Sequence, residues 1–294
     1  MLGTRRTEPS GEQLYLLARA IDNHRIDALL IIGGVNAYLA AAQMVDERSG
    51  YPAFRLPIGL VPASIDNNLP GSELSIGADT AVNNAVWVLD RVKESAAASK
   101  RCFVAEAMGR RCGYLAFMAG LAAGSELTYL HEDGVDLSRI ARDAATMRAA
   151  FAAGRRLFLV VRNENVNDAY TMDFMARAFE EEGRGLFDVR QCAIGHLQQG
   201  GAPTPFDRLL ATRLASHAME ALADQLQAGS DEAFYTGIAA NRQQIHPLAQ
   251  LREELDIENR RPHQQWWREL APVANVVSLP GAALAGEIPI MDPN

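Results

Sequence analysis

The segment from Val61 to Gly71 reads VPASIDNNLPG and sets a hydroxyl, a carboxylate and two amides directly after an apolar run. That run, Arg55 to Val61, is predicted to be a β-strand, and the carboxyl ends of strands in an open parallel sheet face the ligand crevice. A polar cluster at that position would contact a ligand bound in the crevice. Asp-Asn-Asn before Pro-Gly is equally typical of a turn, because these side chains bond their own backbone and tolerate left-handed dihedrals. The segment alone leaves the turn and the reactive cluster as equal alternatives.

Strand-like apolar runs alternate with helical periodicity along the whole chain, which predicts an α/β fold with a largely parallel sheet. In the 75–93 segment, apolar residues recur with a period near 3.6, as an amphipathic helix requires. We expect strands over 27–32, 55–61, 102–106, 127–130, 156–161 and 235–240, and helices over 36–45, 75–93, 114–124, 137–153, 172–182 and 205–226.

Composition excludes several classes of protein. The 294 residues, 48% hydrophobic and 22% charged, are enough for one or two globular domains. A net charge of −8 argues against a nucleic-acid surface. The three cysteines lack the spacing of a disulfide framework or a zinc site, and no apolar run reaches membrane-spanning length. We therefore expect a soluble cytoplasmic protein with no metal held by cysteine and no nucleic-acid or membrane partner.

Several motifs, taken in order, resemble the phosphofructokinase family. They are Gly33-Gly34, Ser64 to Asn68, Met108-Gly109-Arg110, the run GHLQQGG from Gly195 to Gly201, and PTPFDR from Pro203 to Arg208. The resemblance is closest to the C-terminal half of the long, duplicated enzymes of eukaryotic type. It extends from residues 3–7 to 265–267 and leaves only the tail outside.

The resemblance implies a two-lobed, three-layer α/β fold with the sugar phosphate between the lobes. The larger, nucleotide-side lobe would comprise 1–77 and 198–248, and the smaller sugar-phosphate lobe 78–197 and 249–278, followed by a tail over 279–294. Family domains begin with a strand and a Gly-rich turn, and this N-terminal part is expected to be missing here.

The resemblance also implies roles for individual residues. Asp66 would be the base that accepts the proton of the sugar 1-hydroxyl, while Ser64 and Arg110 would contact the transferring phosphate. Arginines suit phosphate groups because their planar fork donates two parallel bonds. In the family, the arginines at the positions of Arg101 and Arg190 reach across from a neighbouring subunit, which implies a homo-oligomer or a fused catalytic half. The implied sugar-phosphate residues are Arg6, Ser64, Asp66, Asn67, Asn68, Arg101, Met108, Gly109, Arg110, Glu164, Arg190, His196, Gln198, Gln199 and Arg260, with Gly33 and Gly34 as the remnant of the nucleotide side.

Two departures from the family pattern leave the activity open: the missing N-terminal strand and Gly-rich turn, and the run that follows the first strand. Catalytic members carry Gly-Gly-Asp-Gly where this chain has Gly33-Gly34-Val35-Asn36, and Val35 offers no oxygen to Mg²⁺. ATP and Mg²⁺ are therefore implied by the family but are not expected to bind to this chain alone. Three hypotheses remain: a regulatory half that binds fructose 6-phosphate or a fructose bisphosphate, a catalytic half that needs its upstream segment, and a non-binding oligomerisation scaffold.

Overall fold

Helices and strands alternate along the chain in the computed structural model, which describes residues 9–95 and 100–278. Arg6, the rest of the 3–7 motif and the tail 279–294 lie outside the described residues. The helices are α1 (Glu12–His24), α2 (Val35–Asp46), α3 (Ala78–Ser95), α4 (Tyr114–Ala123), α5 (Leu137–Ala152), α6 (Met172–Gly183), α7 (Pro205–Ala228), α8 (Leu251–Glu254) and α9 (Ala271–Ser278). The strands are β1 (Leu29–Gly33), β2 (Ile58–Pro62), β3 (Arg101–Ala107), β4 (Leu127–Tyr129), β5 (Leu157–Asn163), β6 (Asp188–Ala193), β7 (Ala233–Ala239), β8 (Arg242–Pro247), β9 (Leu255–Asp256) and β10 (Arg261–Pro262).

Residue contacts divide the chain into two units: unit 1 is Met1–Thr80 with Ala202–Gln265, and unit 2 is Ala81–Gly201 with Trp266–Asn294. The sequence places 249–265 in the smaller lobe, whereas the contacts place this segment in unit 1. The reason is packing, because Leu251 and Leu255 are buried in the hydrophobic core of unit 1.

The sheet of unit 1 has the strand order β1-β2-β7-β8. β1, β2 and β7 run parallel, and β8 pairs antiparallel with β7 at the edge. Ile58 and Leu60 of β2 point into a core shared with α1 and α2, whereas Val61 points to the opposite face, covered by α7. The alternation follows the two-residue period of a strand. β1 lies at the other edge, where Ile32 is 58% exposed; among the described residues, no strand pairs with β1 on the side away from β2.

The sheet of unit 2 is entirely parallel, with the order β4-β5-β3-β6. Helices α5 and α6 cover one face of its apolar strands. α4 packs closely on β5, since a Cβ added at Gly120 would lie 3.5 Å from the Cβ of Val161. Because all strands of this sheet are parallel, the carboxyl ends of β3, β5 and β6 lie at the same edge of the sheet.

The expectation of an α/β fold with largely parallel sheets is confirmed, and each predicted strand and helix has a counterpart. Among the described residues, the elements that were not predicted are the helices α1, α8 and α9 and the strands β6, β8, β9 and β10. Among the described residues, no helix combines the length and the apolar character that crossing a membrane would need.

Candidate functional site

The turn after β2 is built by the amides that the sequence singled out. Asn67 adopts a left-handed φ of 49° and is only 7% exposed. Its amide nitrogen donates to the carbonyl of Glu73 at 2.8 Å, and its oxygen accepts from the backbone N–H of Ser75 at 2.7 Å. The Ser75 hydroxyl in turn donates to the carbonyl of Ser64 at 2.5 Å. Asn67 therefore fixes the turn, and the half-buried Asp66 lies at its centre.

Asn68 connects this turn to Arg260. The Asn68 oxygen accepts from the Ser64 hydroxyl at 2.9 Å, and its nitrogen donates to the backbone carbonyl of Arg260 at 2.8 Å. The guanidinium of Arg260 donates to the side chain of Asn36 in the first turn of α2. Arg260 therefore lies in unit 1 beside the 64–68 turn, whereas Arg190, to which the resemblance assigns the same phosphate, lies in unit 2.

The Gly33-Gly34 turn also lies beside Ser64. A Cβ added at Gly34 would be 3.6 Å from the Cβ of Ser64, so the turn and the hydroxyl are neighbours. Gly34 precedes α2 without any side-chain cap, and Val35 is 6% exposed. The backbone N–H groups at the start of a helix suit an anion, but the buried Val35 adds no oxygen ligand for a cation. Among the described residues, no group of three or more His, Cys, Asp or Glu could hold a metal ion.

In unit 2, the loop 108–113 is held by side chains from three other segments. Gln198 accepts from the Met108 N–H at 2.8 Å, and Glu164 accepts from the Arg110 N–H at 2.8 Å. Glu132 accepts from the N–H of Gly113 with both oxygens, at 3.0 and 3.1 Å. Each of these bonds fixes a backbone group, so the shape of the loop is imposed from outside it.

This loop contains two unusual backbone conformations. Gly109 has a φ of 124°, and a Cβ there would collide with the carbonyl of Cys112, so only glycine fits. Arg110 has a left-handed φ of 51°, which costs a non-glycine residue about 1 kcal/mol. The Arg110 residue is exposed at the carboxyl edge of the sheet. Strained backbone of this kind persists only where neighbours enforce it, and it clusters at ligand sites.

A buried ion pair, which the sequence analysis missed, lies beside the loop. Arg162 is 1% exposed, and its Nε is 3.4 Å from a carboxylate oxygen of Glu106. Burial raises the pKa of Glu106, the Arg162 guanidinium opposes that rise, and the nearby Glu164 carboxylate adds to it. Burial likewise lowers the pKa of Arg162, against the effect of Glu106. Arg162 escaped notice because it ends an apolar strand run; a charged residue within such a run was the available signal.

The GHLQQGG motif forms a short 3₁₀ helix, Gly195–Gln199, just after β6. Gln198 is 1% exposed, and its amide nitrogen has no hydrogen-bond partner among the residues that the structure describes. Gln199 approaches the sulfur of Met108 at 3.7 Å, and His196 is exposed. Thus Met108, Arg110, Glu164, Gln198 and Gln199 come together at one edge of the sheet.

Arg101 and Arg190 do not join this group within unit 2. Arg101 begins β3, whose other end leads into the loop, a separation of about 20 Å at ~3.3 Å per residue. Its guanidinium donates to the carbonyl of Ser95 at 3.2 Å. Arg190 pairs with Phe103 in the sheet and lies 3.6 Å from the carboxylate of Asp188.

Comparisons with known proteins agree with one another. A family model described as phosphofructokinase matches residues 1–222. The chain is 41% identical to the platelet-type ATP-dependent 6-phosphofructokinase of Rattus norvegicus over 288 residues, which is 95% of this chain and 36% of that protein. The chain spans little more than a third of the length of this relative.

Two solved structures are similar as well. The T-state phosphofructokinase of Pichia pastoris matches with a TM-score of 0.86 and 31% identity, covering 94% of this chain and 33% of that one. The phosphofructokinase of Saccharomyces cerevisiae matches with a TM-score of 0.87 and 31% identity, covering 93% and 38% of the two chains.

Proposed function

Because this chain belongs to the phosphofructokinase family, we propose that it binds fructose 6-phosphate or a fructose bisphosphate as a regulatory part of a longer or associated enzyme. The observation that carries the proposal is the loop 108–113, whose backbone is fixed by Gln198, Glu164 and Glu132. A loop held in a strained form presents the Arg110 side chain without further ordering, and preorganisation of this kind increases affinity.

The residues that present polar groups fit a phosphorylated sugar. The Arg110 guanidinium can donate a bidentate pair to a phosphate. Glu164 uses one carboxylate oxygen for the Arg110 N–H, and its other oxygen suits a sugar hydroxyl. Within unit 1, Ser64 and Arg260 present a hydroxyl and a second guanidinium.

A regulatory role is favoured over catalysis by the residues on the nucleotide side. Mg²⁺ binds carboxylates and water, together with the phosphates of the nucleotide. Val35 occupies the position at which catalytic members carry the aspartate, and it is buried and apolar. ATP would supply the phosphoryl group, and Mg²⁺ would neutralise the charge of its phosphates. The described residues around Val35 do not fit this ion.

One observation supports a second candidate function. Asp66 is retained, and the Asn67 turn holds it at the carboxyl end of β2. A positioned carboxylate there could accept a proton from a sugar hydroxyl. On this alternative, the chain phosphorylates fructose 6-phosphate once a nucleotide-binding segment is supplied, and Asp66→Asn abolishes that turnover.

Association with further subunits belongs to the same proposal. Arg101 begins β3, at the end away from the loop, and Arg190 lies within β6 opposite Phe103. We propose that both contact a sugar phosphate held by a neighbouring copy or a catalytic half. Sedimentation of the chain with and without fructose 1,6-bisphosphate tests this, and Arg190→Gln should weaken the ligand-dependent association. A strict monomer under both conditions contradicts it.

Calorimetric titration with fructose 6-phosphate, fructose 1,6-bisphosphate and fructose 2,6-bisphosphate tests binding directly. Arg110→Gln removes the positive charge, and glutamine bears the same cost of a left-handed backbone as arginine does. We expect the affinity to fall about tenfold to a hundredfold, because a charge-assisted hydrogen bond contributes ~1.5–3 kcal/mol. Arg177→Gln, on the exposed surface of α6, is the matched control and should bind as the wild type does. Absence of heat with all three sugars refutes the proposal.

A further inference from the structure

The buried pair Arg162–Glu106 stands directly behind the candidate sugar-phosphate loop. β3 and β5 are in register so that Glu106 lies opposite Arg162, one residue before each strand ends. Arg162 donates to the carbonyl of Tyr170 at 2.7 Å and to the carbonyl of Glu164 at 3.3 Å. Its guanidinium therefore fixes the backbone at both ends of the 164–170 segment.

We propose that Arg162 and Glu106 are a positioning pair: Arg162 sets the backbone of Glu164, and Glu164 in turn holds Arg110 in its left-handed conformation. The role assigned to Arg110 rests on the proposed function. The chain of contacts itself, from Glu106 to Arg162 to Glu164 to Arg110, is independent of any ligand.

Stability of the core does not account for this pair. A buried ion pair loses its hydration, and apolar residues of similar volume usually stabilise a core as well or better. The guanidinium also makes contacts that an apolar side chain could not replace, since both of its terminal nitrogens donate to loop carbonyls. These bonds act on the loop that follows β5, and this loop carries Glu164.

The strain at Arg110 makes the coupling measurable. The N–H of this left-handed residue donates to the Glu164 carboxylate at 2.8 Å, so its conformation depends directly on Glu164. If the Glu164 backbone moves, the carboxylate no longer meets that N–H, and Arg110 returns to the ordinary region of φ. The Arg110 amide hydrogen then exchanges with solvent faster, and the guanidinium is no longer held in the orientation that we propose for phosphate binding.

Hydrogen exchange of the full-length chain tests the positioning without any ligand. We expect the Arg110 amide to exchange at least tenfold faster in Arg162→Met and by an intermediate factor in Arg162→Lys, because lysine keeps the charge but cannot hold both carbonyls. Arg155→Met is the matched control: Arg155 precedes the same strand and pairs with the partly buried Glu126 at the opposite edge of the sheet. An Arg110 amide that exchanges equally in the wild type and in Arg162→Lys overturns the proposal.

Binding of fructose 1,6-bisphosphate, measured by calorimetry at a temperature where every variant is folded, supplies the second arm. We expect Arg162→Lys and Glu164→Gln each to weaken binding at least fivefold and the double variant to be no weaker than the worse single one, since both break the same chain of contacts. Arg155→Met should bind the sugar phosphate as the wild type does, and the double variant Arg155→Met/Glu164→Gln should bind as weakly as Glu164→Gln alone. Full additivity of the Arg162 and Glu164 variants overturns the positioning role. If the exchange results are as expected but the wild type binds no sugar phosphate, the proposed function fails and the coupling stands.

Discussion

Asp207 is expected to contribute strongly to the stability of unit 1. It is 2% exposed in the first turn of α7, within the PTPFDR motif. Its carboxylate accepts from the Gly77 N–H at 2.8 Å, from the Thr80 N–H at 2.8 Å and from the Thr80 hydroxyl at 2.5 Å. Thr204 caps α7 by accepting from the Asp207 N–H at 3.2 Å. Asp207 thus accepts hydrogen bonds from backbone N–H groups at the start of α3, while Thr204 accepts one from a backbone N–H at the start of α7.

The effect of Asp207→Asn follows from these contacts. One carboxylate oxygen becomes an NH₂ group, which then faces either the Gly77 N–H or the two donors of Thr80, so at least one buried donor loses its acceptor. An unsatisfied buried donor costs ~1–3 kcal/mol. The lost negative charge at a helix N-terminus adds ~0.3–1 kcal/mol. We therefore expect a loss of about 3 kcal/mol in the free energy of unfolding, or roughly 6–12 °C in Tm.

Thermal and urea unfolding followed by circular dichroism measure this change, and hydrogen exchange of the Gly77 and Thr80 amides localises it. Asp224→Asn is the control, because it makes the same chemical change on the exposed part of the same helix, where ~0.5 kcal/mol or less is expected. If Asp207→Asn is destabilised by less than about 1 kcal/mol and the Thr80 amide remains protected, the reciprocal capping does not contribute as argued.

Further predictions concern the loop, the acid limb of stability and thiol reactivity. Gly109→Ala should disrupt the loop 108–113 and abolish sugar-phosphate binding, whereas Gly134→Ala, at a φ of 65° with open space around it, should cost only about 1 kcal/mol and leave binding intact; calorimetry on both variants decides. Hydrogen bonds from Asn259 lower the pKa of Asp256, the last residue of β9. Its contribution to stability is therefore present above the unfolded pKa and is lost as the pH falls through the folded value. Asp256→Asn should flatten that acid limb in pH-dependent unfolding, and an unchanged limb contradicts it. Burial raises the pKa of the Cys102 thiol, so Cys102 should resist a thiol reagent until the protein unfolds, and rapid labelling under native conditions would disprove this.

The sequence predicts the central strands β2, β3 and β5 well because nearly all of their residues are buried. A continuous apolar run such as Cys102 to Ala105 is a direct consequence of a central parallel strand. β8 gives no such signal, since Arg242 to Gln244 lie on an exposed antiparallel edge. α1 begins after Gly11 with no side-chain cap, so the usual start signal of a helix is absent.

The candidate site is only partly readable from the sequence. The motifs indicate which residues are worth placing, and the structure brings Met108, Arg110, Glu164 and Gln198 to one edge of the sheet. What side chains do there depends on partners far away in sequence, such as the Gln198 side chain that meets the Met108 N–H across 90 positions. The assignment of Arg260 illustrates the limit, because its position follows from packing of 249–265 on unit 1 and not from any local pattern.

Most motif side chains in this chain bind backbone groups of their own unit. Asn67, Asn68, Gln198, Glu164 and Asp207 each satisfy a main-chain N–H or carbonyl. Such residues are required for the shape of the site whether or not a phosphoryl group is transferred, so their presence does not separate a regulatory chain from a catalytic one. Only residues that bind no backbone group could distinguish the two, above all the residue at position 35, which is valine here. The family motifs and the backbone geometry that they fix are therefore compatible with both of the proposed functions.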